Sequence, residues 1–243
     1  MSRILRAEGV VLRSTLWRET SRLVTFFTRE HGKLVLKAKG ARRPKSRFGA
    51  ALEVLTRDRV IFYKSERHTP YIMSDAEILD DFAELRAVPA RLRAALVALE
   101  FTDRVFEAED PNPPVFRLLN SLLVALATHD GDSAAAAFAY MFQSAGLVGY
   151  GPQLSHCISC HRPKAAAFSA RRGGLVCGRC VGLETDALRV NAALLKRLRL
   201  LYYGSFEQNL RHALPPEVRA LVLAFLRFHV ERFELKSLRF IGT

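Results

Sequence analysis

The sequence predicts an α+β chain: a small β-barrel first, then a helical domain with a compact four-cysteine module inserted into it. Three observations carry this. The first eighty residues break into short β-branched and aromatic runs, the apolar period turns helical from about Pro89, and all four cysteines fall between positions 157 and 180.

In order along the chain, GVVLR (9–13) is a modest strand candidate, and RLVTFFTR (22–29) is a strong one. GKLVLKAKG (32–40) alternates. Leu34, Leu36 and Ala38 point one way, and Lys33, Val35, Lys37 and Lys39 the other, as a half-buried strand requires. DRVIFYK (58–64) and PYIMSDAEI (70–78) complete five short strands, a number that suits a small barrel. An OB-type barrel is one known solution and a common platform for single-stranded nucleic acid. Phe26, Phe27, Phe48 and Tyr63 could stack on bases, but barrel core is the commoner role for such residues.

Helices follow. PARLRAALVALEFTDRVFE begins with proline at a plausible first helical position and sets Leu92, Leu96, Leu99 and Phe106 on or near one face. After the breaker EAEDPNPP (107–114), residues 115–129 repeat the pattern. The alanine-rich stretch 134–148 is too short and too weakly apolar for a membrane span and predicts a buried central helix. Two further helices are expected over 187–204 and 216–234.

Cys157, Cys160, Cys177 and Cys180 give the spacing C-x2-C-x16-C-x2-C, in which each pair can wrap a knuckle that aims two thiolates at one tetrahedral ion. One structural Zn2+ is the expectation, with an iron–sulfur cluster as the rival. Four thiolates would leave no open position for water, so catalysis at the metal is not expected. His156 and His161 lie beside the first pair and are read as exposed knuckle residues. Phe168 is expected to cover the knuckles, and Arg162, Lys164, Arg171, Arg172 and Arg179 make the module basic.

The chain of 243 residues is 49% hydrophobic and 25% charged, enough for a substantial core and for two compact units. Its formal charge of +13 makes a polyanion the leading partner. That charge is uneven: residues 1–50 carry +10, residues 51–150 carry −6 and residues 151–243 carry +9. The densest run is LKAKGARRPKSRFGA (36–50), where Lys37, Lys39, Arg42, Arg43, Lys45 and Arg47 stand without a carboxylate. Like charge concentrated in this way opposes compaction, so something negative is expected nearby.

The start shows no secretory pattern, and a cytoplasmic protein without a membrane role is expected. Phosphate-loop, dinucleotide, nucleophile-elbow and H-E-x-x-H motifs do not occur, and the carboxylates form no compelling pair. The residues therefore favour a binding protein over an enzyme. An RNA- or ribosome-associated OB-fold zinc protein would share the same charge and cysteines.

GVVLR (9–13), RETSRLVTFFTREHGK (18–33), KAKGARRPKSRFGAALE (37–53), the segment 157–180 and LKSLRF (235–240) together resemble the RecO family of bacterial recombination and DNA-repair proteins. The resemblance implies an OB-fold domain over 1–80, a helical domain made of 81–155 and 184–243, and a four-cysteine zinc module over 156–183 inserted into it. It further implies binding of single- and double-stranded DNA, annealing of complementary strands, and action with RecR and the C-terminal tail of the single-stranded-DNA-binding protein to load RecA. Association with the nucleoid would follow. Under this reading the six cations from Lys37 to Arg47 form a rail for phosphates, which positions a strand without reading its sequence.

Overall fold

The computed structural model describes residues 3–65 and 69–241. The chain divides into two compact units, residues 1–127 and 128–243.

The first unit opens with five strands, β1 (Arg3–Trp17), β2 (Ser21–Thr28), β3 (Gly32–Ala38), β4 (Arg57–Lys64) and β5 (Tyr71–Asp80), closed into a barrel in the order β1-β2-β3-β5-β4. The parallel pairing of β3 with β5, Leu36 opposite Tyr71 and Ala38 opposite Met73, gives it OB-fold topology. β1 reaches both neighbours by length. Its first half pairs with β4 and its second half with β2, and a register shift between Val11 and Arg13 bends it from one to the other.

Inside lie Val11, Val24, Phe26, Leu34, Leu36, Val60, Phe62 and Met73, together with Phe48 and Leu52 from the long β3–β4 connection. That connection is a chain of turns. The N–H of Arg43 donates to Gly40 O at 3.1 Å, Ser46 to Arg43 O at 2.9 Å, Ala51 to Phe48 O at 3.0 Å and Glu53 to Ala50 O at 3.0 Å. Phe48, 3% exposed, fills the barrel where a more polar residue would leave an end open.

The same unit contains α1 (Ala83–Ala87), α2 (Pro89–Val105) and most of α3 (Pro113–Thr128). Pro89 stands in the first turn of α2 as expected, but the buried face differs from the leucine stripe. Ala94, Ala95, Val97, Ala98, Phe101 and Thr102 are buried with Leu99, while Leu96 is exposed. Small residues allow a closer backbone approach, and that packing overrides side-chain size in choosing the face.

In the second unit α4 (Ser133–Leu147) is buried almost all round, as the alanine-rich stretch predicts. Asp132 caps it. One carboxylate oxygen accepts from Ala135 N–H at 3.0 Å and the other from Leu214 N–H at 2.8 Å. Around α4 stand α5 (Ala192–Tyr203), α6 (Phe206–Leu210) and α7 (Pro216–His229). Two boundaries differ from the sequence reading. Leu188 and Arg189 form a strand rather than the start of a helix, and α7 ends at His229 because Val230 turns extended. No helix of the described residues is long and apolar enough to cross a membrane.

Candidate metal centre and nucleic-acid interface

The cysteines sit on a three-stranded sheet of β6 (Ala167–Ser169), β7 (Gly174–Val176) and β8 (Leu188–Arg189), ordered β7-β6-β8. In the first knuckle the carbonyl of Cys157 accepts from His161 N–H at 2.9 Å. In the second the carbonyl of Cys177 accepts from the N–H groups of Cys180 and Val181, each at 3.0 Å. These tight turns bring all four sulfurs within 4.8 Å of one another, with Cys160 and Cys177 at 3.5 Å. A tetrahedral ion with metal–sulfur bonds of about 2.3 Å needs sulfurs about 3.8 Å apart, so the donor set fits a metal ion. Among the described residues His156 and His161 lie outside this cluster.

Main-chain N–H groups prepare the sulfurs. Burial opposes ionisation of Cys157, but the N–H groups of Cys177, Ser159 and Cys160 together bring its pKa down to about 6. Cys177 is lowered as well, first by the N–H of Cys180. Cys180, whose thiol is shared with Cys160 and Cys177, is pushed up to about 12. Thiolate is the form that binds metal, so the main-chain N–H groups favour the ligand form at Cys157 and Cys177 but not at Cys180.

Phe168 does not cover the knuckles. Val176 packs with Cys157 and Cys177, while Phe168 faces Phe225 at a ring separation of 6.3 Å. Strand parity explains this: Ala167 is paired with Val176 and Phe168 with Leu175, so neighbouring residues serve opposite faces of the sheet.

On the barrel, Lys37 lies half-buried on the outer face of β3, and Lys39, Arg42, Arg43, Lys45 and Arg47 are exposed beyond it. None of the six forms an ion pair among the described residues. Cations elsewhere on this unit do: Arg57 meets Glu8 at 3.0 Å, Arg59 meets Glu77 at 2.6 Å and Arg22 meets Glu53 at 3.0 Å. The run 37–47 is thus the densest stretch of barrel charge without an ion-pair partner among the described residues.

The structure gathers some of the six and separates others. Lys37, Lys39 and Arg43 line a cleft of about 830 Å³ together with the β1–β2 turn, Arg18 to Ser21. Arg42 instead donates to the carbonyl of Glu19 at 2.8 Å, and its main-chain N–H reaches Thr20 O at 3.1 Å, which clamps the loop to that turn. Arg47 lies 5.4 Å from the ring centroid of Phe48, and neither it nor Lys45 lines the cleft. Of the four aromatics, Phe26, Phe27 and Phe48 are buried and Tyr63 is 40% exposed.

Arg18 is the residue that sequence reasoning missed. It stands in the turn with a left-handed backbone (φ 53°) and adds a fourth cation to the cleft, opposed only by Glu19. The approach of this turn to the 37–47 loop depends on β2 carrying Arg22 opposite Ala38, a pairing that no local pattern reveals.

An OB-type barrel bearing a basic loop, followed by a helical unit with a four-thiol cluster that could hold a metal ion, defines the class of this α+β chain. The family profile described as "Recombination protein O N terminal" matches residues 1–82, and that described as "Recombination protein O C terminal" matches residues 86–239. Proteins named DNA repair protein RecO are similar along almost their whole length. The one from Bifidobacterium longum is 34% identical, covering 99% of both chains. That from Myxococcus xanthus is 35% identical over 97% of this chain and 96% of its own, and that from Halalkalibacterium halodurans 31% over 97% and 93%. The chain belongs to the RecO family.

Proposed function

We propose that this chain is a recombination mediator that binds single- and double-stranded DNA through the 37–47 loop and anneals complementary strands without catalysing a covalent step. One observation carries the reading. Six cations with no ion-pair partner among the described residues are held on a barrel by a loop whose own apolar residues are core. Mutual repulsion among the six works against folding, whereas phosphates gain a pre-ordered cationic track. Membership of a family of DNA repair proteins favours DNA over the RNA- or ribosome-associated alternative.

Within this proposal Cys157, Cys160, Cys177 and Cys180 hold one Zn2+ whose role is structural. Bound there, the ion would stabilise a module with too little core of its own. Partnership with RecR and with the acidic tail of the single-stranded-DNA-binding protein, leading to RecA loading at the nucleoid in the cytoplasm, follows from the family reading. Deleting that tail is expected to weaken the partner's binding at least tenfold.

The direct test mixes two complementary oligonucleotides with and without the protein. Faster duplex formation is expected, and an unchanged rate at saturating protein would overturn the proposal.

A further inference from the structure

A second basic feature lies beside the cysteines and has its own geometry. A cleft of about 320 Å³ next to Cys177 is lined by Arg162, Lys164 and Arg179 together with Ala165, Ala166 and Gly178. The three cations are exposed, and among the described residues none forms an ion pair.

The acidic groups that could have neutralised them are spent elsewhere. Over residues 156–187 the only carboxylates are Glu184 and Asp186. Glu184 pairs with Arg172 at 2.8 Å, and Asp186 accepts from the Ser169 hydroxyl and the Arg171 N–H, each at 2.8 Å. Four thiolates around a divalent ion carry a formal charge of −2, which three cations exceed. The cleft is therefore positive even beside a loaded centre.

Its lining also selects a kind of ligand. The apolar contribution is two alanines and a glycine, so nothing large or aromatic is there to grip a side chain. A Cβ at Gly178 would meet nothing nearer than Ala166 Cβ at 4.0 Å, so a ligand can approach the main chain. Cations around accessible backbone suit a phosphodiester, which asks for charge and hydrogen-bond donors only.

We infer that this cleft is a phosphate seat for the sugar-phosphate backbone of nucleic acid, separate from the 37–47 loop. It gives the cysteine module a binding role in addition to a structural one. It shares with the proposed function only the premise that the chain binds nucleic acid.

The test combines Arg162→Ala, Lys164→Ala and Arg179→Ala in the full-length, metal-containing protein. Binding of a single-stranded oligonucleotide is measured across a salt series beside metal content and thermal midpoint. Three lost contacts should flatten the slope of log affinity against log salt by about 2, with metal and midpoint unchanged. The same flattening should persist when Arg42, Arg43 and Lys45 are already reversed in charge. Wild-type binding with an unchanged slope in both backgrounds overturns the cleft alone. Absent wild-type binding at low salt overturns the functional reading with it. Loss of metal without a change in slope would assign the cations to the thiolates, and loss of polyglutamate binding with an intact DNA slope would assign the cleft to an acidic peptide. Either result rejects the inference.

Discussion

The Thr56 hydroxyl lies 3.0 Å from Asp58 Oδ2 and 3.0 Å from the carbonyl of Glu53, and it has one proton to give. The Glu53 carbonyl can only accept. Both contacts are satisfied together only when Asp58 is protonated and donates to Thr56 Oγ1. Asp58 is fully buried on β4, its other oxygen has no hydrogen-bond partner among the described residues, and burial raises its pKa from 3.8 to about 8. Geometry and electrostatics agree on a neutral carboxyl.

A pH dependence follows. The folded-state pKa is raised, so the stabilisation is complete below about pH 4 and is lost as pH rises toward about 8. The difference between the charged and neutral forms is on the order of 5 kcal/mol. Asp58→Asn keeps a donor toward Thr56 and cannot ionise. Urea unfolding at pH 5, 7 and 8.5 should show the variant gaining on wild type at each step. Parallel curves would refute the protonated carboxyl.

Charge reversal at Arg42, Arg43 and Lys45 should flatten the salt slope by about 2 on single strands and weaken all sequences alike. Two unrelated oligonucleotides in a salt titration check this. A loss confined to one sequence would mean that DNA runs elsewhere.

Arg18→Ala should remove one contact from the cleft at the β1–β2 turn. The expected change in slope is about 0.7, with the far-ultraviolet circular dichroism unaltered. A slope equal to wild type would leave Arg18 as a turn residue only.

Phe48→Ala should cost about 3–5 kcal/mol, because its ring fills the barrel. It should also weaken DNA binding without removing a single charge, since the loop would lose the anchor that orders it. Chemical unfolding beside binding at fixed salt separates these effects. Full affinity in a destabilised variant would show that the loop needs no anchoring.

Cys177→Ala should lower the metal content of purified protein from one zinc per chain and lower the thermal midpoint. Elemental analysis gives the stoichiometry. A protein that contains neither zinc nor iron would refute the assignment.

How much of this was legible in the sequence depended on the range of the forces involved. The alternation around Leu34, Leu36 and Ala38 and the proline at the start of α2 are local, and both elements formed where expected. The cysteine cluster was legible because its spacing is itself a geometric constraint. What failed was non-local. Leu188 and Arg189 joined β6 as strand partners, which no helical period can reveal. Val176 took the place expected for Phe168 because one residue of parity decides which face of a sheet a side chain serves. Arg18 entered the cleft only through pairing of strands that bring two distant turns together.

Six lysines and arginines within eleven residues are, to trypsin, five scissile positions, since Pro44 protects the bond after Arg43. A protease needs several consecutive residues drawn out into its active site, and this stretch is fastened at Arg42 to Thr20 and at Phe48 to the barrel interior. Cutting there has to wait for the turns to open, so the digestion rate measures how often they do. Bound polyanion should slow the digestion of this run by holding the turns closed. The most basic segment of the chain would then resist the enzyme that its composition most invites.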